Sequence, residues 1–162
     1  MTWQLSFRAD PRALPLADRH YNRQKPGSPQ FVPPGRCLVL LTEDAGALWV
    51  TSWPFAEHVK HRWAGAWVNS LFRRERGPLA SELIREAVAA TRWAFGEPPP
   101  LGMVTFIDRE HTRGKRNPGF CYLNAGFEPD GRTQGGLVAV RLPPERMPEP
   151  EAPRGSNREL FS

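Results

Sequence analysis

Asp108 and Tyr122 are the two side chains of this 162-residue chain that are best suited to acid–base chemistry. Asp108 ends a β-rich run at residues 102–107, and Tyr122 lies in a short helical stretch ahead of Ala125-Gly126-Phe127. Central strands open onto ligand crevices at their carboxyl ends, so Asp108 is placed to act as a base or to orient a substrate. The alternative is that Asp108 hydrogen-bonds the backbone of the following loop. Taken with Tyr122, the order of strand, loop and helix predicts a ligand site at this strand end.

The loop between these two residues is basic and predicts an anionic partner. The formal net charge of the chain is +5, mostly from arginine. Such a surface favours phosphates, nucleotides or nucleic acid, although solvated arginines that bind nothing are the alternative. The residues that we expect to contact DNA phosphates are Arg109, Arg113, Lys115 and Arg116.

A second basic segment precedes the longest predicted helix. Arg73, Arg74, Arg76 and Gly77 stand between a strand and that helix, where free backbone N–H groups and the helix dipole can hold a phosphate. The alternative is a basic turn without a ligand.

No metal or disulfide is predicted. His58 and His61 share one helical face, but no acidic partner lies near them in the sequence, and surface imidazoles are the commoner case. The two cysteines, Cys37 and Cys121, form neither a disulfide framework nor a cysteine-rich zinc site.

Hydrophobic periodicity predicts one globular unit of mixed α and β structure at residues 1–142. A proline-rich loop at 24–35 separates the first strand and helix from the remaining elements. The strands are predicted at 4–8, 36–43, 47–53, 66–74, 102–107 and 136–142, and the helices at 11–22 and 79–95. The strand at 66–74, the helix at 79–95 and the strand at 102–107 predict a right-handed parallel crossover.

Residues 143–162 are predicted to be a flexible tail, because they hold five prolines and mixed charges with almost no apolar residues. Leu160 and Phe161 near its end resemble the Leu-Phe peptides by which bacterial DNA enzymes bind the sliding clamp; an untethered terminus is the alternative. No segment is apolar enough for a signal peptide or a membrane span, so we expect a cytoplasmic protein.

The order of these elements resembles the GNAT N-acetyltransferase superfamily. The segment Arg74-x-x-Gly77-x-Leu79 follows that family's pyrophosphate turn except at its last place, and 121–127 is similar to its later motif. The resemblance implies a mostly antiparallel central sheet of six to seven strands flanked by helices. It also implies that Tyr122 is a general acid, that His20 and Tyr21 line the acceptor entrance, and that the donor is acetyl-CoA or another acyl or aminoacyl compound.

Residues 69–133 also resemble the phage Mom proteins, GNAT-like enzymes that modify DNA adenine. The features that carry this resemblance occur in order: Ser81 at a helix start, Phe106-x-Asp108, His111 with Gly114, Tyr122 with Ala125, and Gly131-x-Thr133. It implies transfer onto a nucleobase, with Ser81 near the donor, by a bacterial or phage-borne enzyme. Two alternatives stay open: a CoA-dependent N-acetyltransferase acting on a small molecule or a protein amine, and a non-catalytic nucleic-acid-binding protein. The sequence leaves the donor and the oligomeric state undetermined.

Overall fold

Seven strands form a single mixed sheet in the part of the chain that the computed structural model describes, residues 1–20, 35–54, 61–108 and 119–156. The strands are β1 (Trp3–Leu5), β2 (Arg36–Thr42), β3 (Ala47–Trp53), β4 (Trp67–Arg74), β5 (Met103–Ile107), β6 (Glu128–Arg132) and β7 (Val138–Leu142). The described helices are α1 (Leu14–Asp18), α2 (Ala80–Phe95) and α3 (Phe120–Asn124). None of these helices combines the length and the apolar character that crossing a bilayer requires.

The strand order is β1-β2-β3-β4-β5-β7-β6, and every neighbouring pair is antiparallel except β4 and β5. This confirms the predicted mixed, mostly antiparallel sheet. The predicted hairpin is formed by β2 and β3, paired from Arg36 with Trp53 to Leu41 with Leu48. The predicted crossover runs from β4 through α2 to the parallel strand β5.

Helix α2 covers one face of the sheet because its apolar side chains recur at the helical period. Leu83, Ile84, Ala87 and Val88 are fully buried in the main core, together with Trp49 of β3 and other sheet residues. Burial of each larger aliphatic side chain contributes about 1.5–3 kcal/mol. This packing holds the start of α2 beside the carboxyl ends of β4 and β5.

Helix α1 covers the other face, and it is shorter than the predicted helix at 11–22. It buries Leu16 and Ala17 against the apolar side chains that β2, β3 and β4 direct to this face. The chain before it is held in turns, since the Asp10 carboxylate accepts the Arg12 N–H at 2.9 Å. An aspartate that bonds nearby backbone in this way competes with helix formation.

The C-terminal segment, residues 143–156, differs from the predicted flexible tail. Met147 is buried in the main core, and Glu151 donates its N–H to Ala89 O of α2 at 3.1 Å. Arg154 adds a short parallel bridge beside β1: its N–H bonds Trp3 O at 3.0 Å, and its carbonyl accepts the Leu5 N–H at 2.7 Å. Prolines in this segment remove donors, but the remaining backbone groups complete the edge of the sheet.

Candidate functional site

A crevice opens where the parallel strands β4 and β5 separate. Their pairing is limited to Trp67 with Met103 and Val68 with Val104, and beyond these residues a cavity of about 430 Å³ lies between the strands. Its walls are formed by His20, residues 69–74, Ala80, residues 105–107, Gly119, Cys121 and Tyr122. The cavity therefore lies at the carboxyl ends of the two parallel strands, which is the common position of ligand sites in sheets with parallel strands.

A β-bulge shapes the β4 wall of the crevice. Val50 pairs with Leu71 and Thr51 pairs with Asn69, so Ser70 is an extra residue in β4. The Asn69 side chain spans the irregularity, because its Nδ2 donates to Val50 O at 3.1 Å and to Leu71 O at 3.0 Å. Bulges of this kind re-aim side chains next to active sites.

The Tyr122 hydroxyl is held inside the crevice by the same asparagine. It donates to Asn69 Oδ1 at 2.5 Å, and the hydroxyl of Thr105 approaches that oxygen at 3.3 Å. The Tyr122 ring packs edge-on against Phe72 and Phe127, with ring centroids 6.3 Å and 5.4 Å away. These contacts give the phenol one defined orientation on the short helix α3.

The segment 73–78, which we call the arginine turn, closes the crevice at the start of α2. Arg74 folds back onto the turn, with Nε donating to Pro78 O at 2.6 Å and Nη2 donating to Gly77 O at 2.8 Å. Leu79 is the N-cap of α2, and its side chain caps none of the first N–H groups of the helix, which also have no carbonyl partner within the helix itself. These N–H groups and the positive end of the helix dipole favour an anion at this position.

Glu75 neutralises part of the charge of the arginine turn. Arg19 contacts both of its carboxylate oxygens at 2.6 Å, and Arg73 Nε donates to Oε2 at 2.7 Å. Hydrogen bonds from Arg19, and then from Arg73, lower the pKa of Glu75 to about 2. Arg73 Nη1 also donates to Arg19 O at 2.7 Å, so this network joins the end of α1 to β4.

Only some of the residues predicted for the site line the crevice. Those that do are His20, Arg73, Arg74 and Tyr122. Arg76 instead pairs with Asp44 in the β2–β3 turn, with Nε 2.9 Å from Oδ2, while Gly77 and Ser81 lie in the arginine turn and the first turn of α2. Asp108 directly follows β5 and is partly buried, and it is not among the described residues that form the walls.

Other residues named in the sequence analysis lie outside the described residues. These are Tyr21, His58, Arg109, His111, Arg113, Lys115, Arg116, Leu160 and Phe161. Within the described ranges, no group of His, Cys, Asp or Glu side chains is arranged to hold a metal ion.

Asn69 is the site residue that the sequence analysis missed. A signal was present, because asparagine is depleted in strands and here it interrupts the apolar run Trp67-Val68 and Leu71-Phe72. Asn69 is 4% exposed, so its amide must be hydrogen-bonded within the protein.

Comparison of the chain with protein-family models, with curated proteins and with solved structures gave no match.

Proposed function

We propose that the protein is a transferase of GNAT-like architecture that modifies an amino group of a DNA base. The observation that carries this proposal is the Tyr122 hydroxyl, held by Asn69 in a crevice between two diverging parallel strands. A polar group fixed inside a cleft beside an anion-favouring helix start is an arrangement that suits group transfer from a phosphate-bearing donor.

In this proposal the donor enters along the arginine turn. Its phosphate lies near Arg73, Arg74 and the first N–H groups of α2, and its reactive end extends into the crevice toward Tyr122. At this end of the crevice Arg19 and Arg73 share one carboxylate, Glu75, and Arg74 bonds the carbonyls of Gly77 and Pro78. These four side chains together keep a positive charge that attracts an anionic donor.

The acceptor approaches from the β5 side. The resemblance to the Mom proteins implies that the acceptor is an exocyclic amino group of a nucleobase. Asp108 is then the general base and Tyr122 the general acid. The basic residues at 109–116 contact DNA phosphates in this arrangement. A base within a duplex has to flip out of the helix to reach a crevice of this kind, whereas a base in a single strand does not.

Mass spectrometry of nucleosides tests this function. DNA from cells that express the protein is digested and compared with DNA from cells that express Asp108→Ala, Tyr122→Phe or the control Glu149→Ala, which removes an exposed carboxylate away from the crevice. We expect one new nucleoside mass with the wild-type protein and with the control, and a loss of at least about a hundredfold with the two site variants. DNA that stays unmodified with the wild-type protein contradicts the proposal.

A CoA-dependent N-acetyltransferase is the second candidate, favoured by the self-bonded arginine turn beside the uncapped start of α2. Calorimetric titration with acetyl-CoA separates the two functions. Binding of acetyl-CoA, together with cellular DNA that stays unmodified, supports this second candidate. Salt-dependent DNA binding without acetyl-CoA binding or product indicates a protein that only binds nucleic acid.

A further inference from the structure

The hydrogen bonds of Asn69 determine the direction of the bond to Tyr122. Both carbonyls that contact Asn69 Nδ2, those of Val50 and Leu71, can only accept, so the amide nitrogen must be the atom that faces them. Oδ1 is then the atom that faces Tyr122 and Thr105. A carbonyl oxygen has no proton, and therefore the Tyr122 hydroxyl is the donor.

This direction limits what Tyr122 can offer to a ligand. A phenol has one proton and otherwise accepts hydrogen bonds. With its proton directed at Asn69, Tyr122 can make any further hydrogen bond only as an acceptor. Asn69 cannot relay a proton back, since both hydrogens of its amide are bonded to the backbone carbonyls of the bulge.

We propose that Asn69 is a positioning residue that fixes Tyr122 as a hydrogen-bond acceptor, so that the ligand group at this point of the crevice is a hydrogen-bond donor. This inference rests on the proposed function and makes it more specific, because an amino group of the acceptor has the required N–H. One N–H of the amine bonds Tyr122 Oη, and the nitrogen lone pair is thereby directed at the donor. The Tyr122 proton stays on the phenol and directed at Asn69 Oδ1 while the amine binds.

The transfer itself then needs no proton from Tyr122 at the start. The amine nitrogen forms a bond to the transferred carbon, the bond from that carbon to the leaving group breaks with its electron pair, and the second amine proton passes to a base. In the proposed function this base is Asp108. Before Tyr122 could protonate the leaving group, its hydroxyl would have to break the hydrogen bond to Asn69.

Two substitutions at Asn69 separate the bond to Tyr122 from the bonds to the bulge. Asn69→Asp keeps an oxygen that accepts from Tyr122 and loses the amide donors to Val50 O and Leu71 O. Asn69→Leu loses both. Because a carboxylate buried at this position carries its own desolvation cost, the two variants are compared by the state of the Tyr122 phenol and not by their stability.

The first measurement does not depend on activity. Tyr21 and Tyr122 are the two tyrosines of the chain, so Tyr21→Phe leaves one ¹³Cζ resonance from labelled tyrosine. We expect this resonance to move upfield in Asn69→Leu, where the phenol stops donating, and to stay near its original position in Asn69→Asp. An unchanged resonance in Asn69→Leu overturns the inference.

In the wild-type Asn69 background, a deuterium isotope effect on the ¹³Cζ shift in mixed H₂O and D₂O should reveal a slowly exchanging phenol proton. A phenol proton that exchanges rapidly also overturns the inference. This measurement is decisive even where the Asn69 variants fold poorly.

The second measurement is the yield of modified nucleoside. Loss of the hydrogen bond to Tyr122 should lower the yield about tenfold in Asn69→Leu relative to Asn69→Asp. Equal yields from the two variants contradict the positioning role. Unmodified DNA with the wild-type protein would refute the proposed function, and the two resonance measurements would still decide the state of Tyr122.

Discussion

Glu75 is the residue on which the charge balance beside the crevice depends. It accepts hydrogen bonds from Arg19, the C-cap of α1, and from Arg73 of β4. Its carboxylate keeps two guanidinium groups close together where a phosphate-bearing ligand is proposed to bind. The low pKa of Glu75 means that this arrangement persists throughout the neutral and mildly acidic range.

Glu75→Gln should lower the free energy of unfolding at neutral pH by up to about 1 kcal/mol, the upper range for exposed ion pairs. The folded-state pKa, about 2, is below the ordinary value of 4.5, so the stabilisation is present above pH 4.5 and is lost as the pH falls toward 2. Chemical denaturation at several pH values should show the difference between wild type and variant narrowing over that interval. The same measurement on Glu149→Gln, an exposed carboxylate outside the network, is the control. A difference independent of pH would contradict the ion-pair explanation.

Tyr122→Phe should abolish the modified nucleoside and preserve the fold. The ring contacts with Phe72 and Phe127 are kept, and the hydrogen bond to Asn69 is lost. Thermal unfolding should therefore report a cost of about 0.5–1.5 kcal/mol for the lost hydrogen bond, since the Thr105 hydroxyl still faces Asn69 Oδ1 at 3.3 Å. Product at the wild-type level would remove Tyr122 from the chemistry.

Among the elements, α3 decides where the phenol of Tyr122 lies. It begins after Gly119, whose φ of 79° is a left-handed conformation that suits glycine. A Cβ at this position would overlap with Cδ1, the tip of the Ile107 side chain at the end of β5, which would have to shift. The start of α3 is therefore packed directly against the strand that forms the opposite wall of the crevice.

Gly119→Ala should destabilise the protein and displace α3. Gly136→Ala is the matched control, since Gly136 also has a positive φ, 88°, but a Cβ there meets no atom within 4 Å. Both variants share the backbone strain of roughly 1–2 kcal/mol. Gly119→Ala carries the additional contact with Ile107 and should also lower the nucleoside yield. Equal stabilities for the two variants would show that the Ile107 contact is relieved without cost.

The C-terminal segment is a structural element of the sheet edge. Met147→Ala should lower the free energy of unfolding by about 2 kcal/mol because it leaves a cavity in the main core. Met147→Leu conserves volume and should cost less than about 1.5 kcal/mol. Urea denaturation of both variants measures this, and an unaltered midpoint for Met147→Ala would mean that the segment does not pack in solution.

At the scale of the whole molecule, the net charge of +5 predicts salt-dependent binding to DNA. Substituting three residues of the basic loop by alanine should weaken binding and reduce the slope of log K against log salt by about 2–3, if each contacts one phosphate. The three residues are Arg113, Lys115 and Arg116. The control removes the same charge from exposed arginines elsewhere, at Arg12, Arg132 and Arg154. Fluorescence anisotropy at several salt concentrations measures both slopes, and equal slopes would show that charge acts without a preferred location.

The local pattern of the sequence was sufficient for the hairpin, the amphipathic helix α2 and the parallel crossover. Each of these depends on periodicity within a short stretch or on a connection between consecutive elements. The end of the crossover also identified the position of the crevice and the residues Arg73, Arg74 and Tyr122 among its walls.

The partners within the crevice were decided by the tertiary structure alone. Asn69 and Tyr122 are 53 residues apart in the chain, and their bond exists because β4 and α3 are brought together by the sheet. Likewise, Arg76 has its partner Asp44 in a hairpin turn that is distant in sequence, and Met147 reaches the core from a segment of tail-like composition. Periodicity identifies which residues are buried, but pairing between polar side chains depends on the relative positions of elements, which no local pattern encodes.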